Sequence, residues 1–112
     1  MYIRDNEWLP IGAVVITVDR KHRQVNYNLS MVNPVDAIDL STGRRRPFDS
    51  RRARLMALER LVEKPVSAPI KTGATMHDIT CAVMKHLATN KNAPSRAVKF
   101  AKMWNREMEY WF

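Results

Sequence analysis

Apolar and polar residues alternate most cleanly between Gln24 and Met31. Val25, Tyr27, Leu29 and Met31 fall on one side of an extended chain, and Gln24, Asn26, Asn28 and Ser30 on the other. That period of two predicts a strand with one apolar face and one amide face. Upstream, Ile11-Gly12-Ala13-Val14-Val15-Ile16-Thr17-Val18 is short and β-branched, which favours a second strand. The polar stretch Asp19-Arg20-Lys21-His22-Arg23 between them has the length of a hairpin connection. Residues 11–31 therefore read as an antiparallel hairpin whose amide face is open to water. Residues 1–10, ending in Trp8-Leu9-Pro10, add a short edge strand or merely lead in. Pro34 lacks the N–H a ladder needs and ends the second strand after Asn33. Between Val35 and Ser41, Ile38 and Leu40 alternate weakly with Asp39, giving a third short strand or a turn, and Gly43 closes the hairpin part at 11–43.

Beyond residue 50 the period lengthens to that of a helix. Leu55, Leu58, Leu61 and Val62 recur at spacings of three and four, predicting a helix over 50–63 with these four as its buried stripe. Arg52, Glu59, Arg60 and Glu63 would then face water. Asp49 or Ser50 can cap its start, with Phe48 packing on the first turns as a staple, and Pro65 stops it. The segment 65–73, which holds Pro65, Pro69 and Gly73, reads as an extended connector. Thr75 followed by Asp78 signals a capping box for a second helix over 75–89, with Met76, Ile79, Val83 and Leu87 buried and Ala82 beside them. Asn90-Lys91-Asn92 breaks the chain, and Pro94 favours the start of a third helix over 93–112. Its seam is Ala97, Ala101, Trp104, Met108 and Trp111, widened by Phe100 and Met103. The expected class is α+β, an antiparallel β-hairpin followed by three α-helices in a single domain.

Length and composition agree with that expectation: 112 residues, 46% hydrophobic and 27% charged, describe one globular domain with a modest core. Charge changes the picture. A formal net charge of +8 favours polyanionic partners. Much of it is gathered in Arg44-Arg45-Arg46-Pro47-Phe48-Asp49-Ser50-Arg51-Arg52-Ala53-Arg54, at the entry to the first helix. A cap at Asp49 or Ser50 puts Arg51 and Arg52 in the first turn, against the positive end of the macrodipole, where each cation costs about 0.3–1 kcal/mol. A bound phosphate or carboxylate would relieve that cost, and the planar guanidinium suits either. The candidate binding residues are therefore Arg44, Arg45, Arg46, Arg51, Arg52 and Arg54, joined by Arg20, Lys21 and Arg23 from the hairpin tip. The competing reading is a solvated, arginine-rich loop.

Other chemistries find less support. His77 and Cys81 share a helix face, but His86 lies roughly half a turn away and cannot converge with them, so no metal site is expected. Cys81 as a nucleophile would have only His77 to activate it. Asp36, Asp39 and Asp49 are scattered acids with nothing to shift their pKa values, and the three glycines cradle no phosphate. Neither catalysis nor a cofactor is expected. The short break before the third helix raises a helix-turn-helix, with Ser95, Arg96, Lys99, Lys102 and Arg106 toward a groove, although no turn signature accompanies it. Tyr110-Trp111-Phe112 either docks on the core or leaves Tyr110 and Phe112 as an exposed partner anchor. The lone Cys81 forms no internal disulfide, Met1-Tyr2-Ile3-Arg4-Asp5 lacks the apolar run of a signal peptide, and no segment has the ~20 apolar residues of a membrane span. The expected location is the cytoplasm.

The hairpin, Asn33-Pro34-Val35-Asp36, Phe48, the basic cluster and Ala57-Leu58-Glu59-Arg60-Leu61 together resemble small uncharacterised proteins of tailed bacteriophages. The similarity covers about residues 11–62, with a larger separation here between Asp36 and the basic helix. It implies a phage-encoded, non-enzymatic accessory protein acting in the host cytoplasm, with no active site to carry over. Two functions fit. In one, the arginines bind the phosphates of DNA or RNA, mostly without base readout. In the other they dock on an acidic surface of a host enzyme or defence complex and modulate it, with the C-terminal aromatics as anchor.

Overall fold

A computed structural model describes residues 1–33 and 38–111, with side chains as far as Met108. Four antiparallel strands form one sheet in the order β1-β2-β3-β4: β1 (Tyr2–Arg4), β2 (Pro10–Asp19), β3 (Gln24–Met31) and β4 (Val66–Pro69). Among the described residues three helices pack with it, α1 (Ser50–Glu63), α2 (Met76–Ala88) and α3 (Ser95–Trp111). The class is mixed α+β. Of the alternatives for residues 1–10, the edge strand is the one formed. The extended connector also joins the sheet, as β4, and its tie to β3 includes Ser67 Oγ donating to Asn26 Oδ1 at 2.6 Å. Among the described residues around Ile38 there is one bridge, to Arg45, and then a turn closed by Gly43, at φ 68°; Asp36 lies outside the described residues.

The register Val14↔Leu29, Ile16↔Tyr27 and Val18↔Val25 puts the apolar residues of both hairpin strands on one face. There they meet Ile79, Val83, Met84 and Leu87 of α2 and Ala97, Phe100 and Ala101 of α3, the main core. The capping box of α2 forms as expected: Asp78 N donates to Thr75 Oγ1 at 3.1 Å, and Thr75 N to Asp78 Oδ2 at 2.9 Å. Met76 shares the apolar face but is 69% exposed in the first turn, and Met84 is buried instead. Gly12 is held by crowding, since a Cβ there would stand 2.5 Å from Ser30 O.

Two expectations fail together on the opposite face. The amide face of β3 is only partly open to water: α1 lies across β2 and β3, Ser30 is buried and Gln24, Asn26 and Asn28 are half-buried. Nor are Leu55, Leu58 and Val62 of α1 buried: the side chains against the sheet are Ala53, Ala57 and Leu61. Hydrogen bonding gives the reason. Ser30 Oγ donates to Ala53 O at 2.6 Å, Asn28 Nδ2 donates to the carbonyls of Arg60 (3.2 Å) and Lys64 (2.8 Å), and Arg60 Nη1 donates to Leu29 O at 3.1 Å. Side chains as short as Ser and Asn reach helix carbonyls only if the helix comes close, which alanines permit and leucines would prevent. Satisfying the buried Ser30 hydroxyl and the half-buried Asn28 amide, with alanines at the contact, sets the helix's rotation.

Candidate nucleic-acid interface

The arginine block folds where β3 ends and α1 begins. Asp49 is the N-cap, in an extended conformation, and its Oδ1 accepts from Arg52 N at 3.0 Å. Arg51 and Arg52 therefore stand in the first turn, which contains no acidic residue. Phe48 sets the approach by packing edge-on against Tyr2, ring centroids 5.7 Å apart. Between the end of β3, the segment 43–49 and the first turns of α1 lies a cleft of about 920 Å³. Arg45, Arg46 and Arg52 line it, as does Arg96 from the start of α3.

These guanidiniums are not equally available. Arg45 is already engaged, 3.3 Å from Asp5 Oδ2 and 3.5 Å from Pro10 O. The Leu9 N–H chiefly, and Arg45 after it, hold the Asp5 carboxyl below the usual carboxylate range. Arg54 Nε donates to Ser50 O at 3.3 Å. Arg46 acts on Asp39 at longer range, and the Asp39 carboxyl is held low mainly by the Ser41 hydroxyl and N–H. Arg44, Arg51 and Arg52 are exposed and form no ion pair among the described residues. Arg46 is equally exposed, so four cations at this end of the molecule face outward.

The hairpin-tip cations do not join them. The β2–β3 ladder runs from Gly12↔Met31, beside the cleft, to Asp19↔Gln24 at the turn, a distance of about 24 Å at the usual rise per residue. Arg20, Lys21 and Arg23 thus form a separate group, in which Arg20 Nη1 donates to Ala74 O at 3.2 Å and Arg23 adopts φ 51°. Arg96 is the residue that sequence reasoning misplaced. Read as part of a groove-facing helix, it instead donates from Nη2 to Val32 O at 2.6 Å beside the cleft. That contact spans 64 positions, which no local pattern reports. Lys99, Lys102 and Arg106 remain exposed along α3.

The remaining candidates separate as the helical repeat requires. Cys81 Sγ lies 3.4 Å from His77 Nε2, one turn away. His86 turns elsewhere, its Nδ1 2.6 Å from the Tyr27 hydroxyl, whose pKa burial pushes up. Asp39 holds the turn at Ser41 and Asp49 caps α1, so both acids have structural employment. The anchors proposed at Tyr110 and Phe112 lie outside the described side chains. Among the described residues no helix is long and apolar enough to cross a membrane. No protein-family model, no curated protein and no solved structure matches the chain.

Proposed function

We propose that the chain is a small, basic, non-enzymatic accessory protein of phage type that binds nucleic acid at the N-terminal end of α1. The observation that carries this reading is the gathering of Arg44, Arg46, Arg51 and Arg52, exposed and without ion pairs among the described residues, around a helix whose first turn has no acid beyond the capping Asp49. The positive end of the helix dipole adds to their field, and the surrounding backbone is fixed by the Asp49 cap and the Asp5–Arg45 pair. Guanidiniums on a fixed frame suit phosphate oxygens, and the contacts would be to backbone rather than to base edges. Arg52 and Arg46 reach into the cleft, while Arg44 and Arg51 extend the cationic surface beyond it.

A mobility-shift assay on nuclease-treated protein, with DNA and RNA oligonucleotides, tests this directly. The wild type should shift them, the variant with Arg44, Arg46, Arg51 and Arg52 changed to Ala should not, and Ala at Arg20, Lys21 and Arg23 should leave most of the binding. Undiminished binding by the four-site variant would overturn the reading. The same arginines could serve an acidic protein surface. In that case a host protein would stay bound after nuclease treatment and no oligonucleotide would shift.

A further inference from the structure

The outer face of α1 carries an apolar row that the fold leaves uncovered. Leu55, Leu58 and Val62 are 56%, 44% and 76% exposed, and with Arg51 they recur at spacings of four, three and four. That is the spacing of a helix–helix seam, on a helix whose own buried face is already filled by Ala53, Ala57 and Leu61. Charge along one border of the row is segregated: Arg52 stands at its N-terminal end, Glu59 and Glu63 toward its C-terminal end. Such a row is complementary to itself run backwards.

We propose that α1 pairs with α1 of a second copy of this chain, antiparallel and about a two-fold axis midway between Leu55 and Leu58. Leu55 of each copy then meets Leu58 of the other, and Val62 covers the stem of the second copy's Arg51. On the shared border Arg52 of each copy faces Glu59 of the other, so the symmetry supplies the pair twice. A parallel arrangement would instead bring opposite borders together, and Arg52 would then face the chain ahead of the partner helix rather than a carboxylate. The Arg52–Glu59 pair therefore forms only in the antiparallel direction, which the self-complementary border favours. A seam of one short helix per copy is small, which makes the dimer a weak, concentration-dependent one. The inference stands apart from the nucleic-acid reading, although Arg52 is claimed by both: an oligonucleotide that engages it would loosen the pair.

Analytical ultracentrifugation of nucleic-acid-free protein, over a concentration series reaching the millimolar range, tests it. The wild type should pass from monomer to dimer, and Leu58→Glu, at an exposed position that leaves the fold intact, should stay monomeric. Arg52→Glu and Glu59→Arg should each weaken the dimer several-fold, and the two together should restore it. A wild type that remains monomeric throughout, as it would if α1 met a different protein, overturns the proposal. So does a dimer that survives Leu58→Glu, or a double variant no better than its parents.

Discussion

The two faces of the β-sheet are held by different forces. On one, Val25, Tyr27 and Leu29 pack against α2 and α3, and the buried side chains are large and apolar. On the other, Asn28 and Ser30 hold α1 through its carbonyl oxygens, and the packed side chains are two alanines and one leucine. Burial of apolar area drives the first, at about 25 cal/mol per Å². The second gains less from area and depends on close approach, which leaves the larger apolar residues of α1 pointing outward. One sheet can therefore attach a helix by its hydrophobic stripe on one side and by its small-residue stripe on the other.

Substitutions can break this contrast. Leu87→Ala on the apolar face should cost about 2–5 kcal/mol, read as a fall in the urea midpoint, because it opens a cavity in a filled core. On the α1 face the expected ranking runs against hydropathy. Ala57→Leu, which adds apolar volume, should destabilise by about 1–3 kcal/mol by prising the helix from Ser30 and Asn28. At the next position, Leu58→Gln removes an apolar side chain and should change the stability of the monomer by no more than about 0.5 kcal/mol. If Leu58→Gln proved the costlier of these two, the leucine row would be buried after all and the account of α1 would fail.

The apolar face was legible from sequence because its signals are local and redundant. The alternation at Val25, Tyr27 and Leu29, the Thr75/Asp78 capping box and the seam from Ala97 through Ala101 each report burial from a few neighbouring residues. The α1 face was not, since Leu55, Leu58 and Val62 look the more natural stripe and nothing nearby says that Asn28, in another element, needs the carbonyls of Arg60 and Lys64. For the same reason β4 was seen as extended chain but not as a strand, because its partner β3 lies some 40 residues earlier; the Ser67–Asn26 bond spans 41 positions. At the candidate interface, the cap at Asp49 and the first-turn placement of Arg51 and Arg52 followed from local pattern. The division between engaged Arg45 and outward-facing Arg44 did not, because it depends on Asp5 being carried there by the loop after β1.

Whether the α1 arginines bind phosphate is read from the salt dependence of oligonucleotide binding. If the cations at the start of α1 neutralise phosphates, log K should fall steeply and linearly with log salt, each neutralised phosphate adding about 0.9 to the slope for duplex DNA and about 0.7 for a single strand. Changing Arg44, Arg46 and Arg51 to Ala should flatten that slope by about two to three, with Ala at Arg20, Lys21 and Arg23 changing it little. A slope untouched by the α1 variants, or flattened equally from the hairpin tip, would contradict the account.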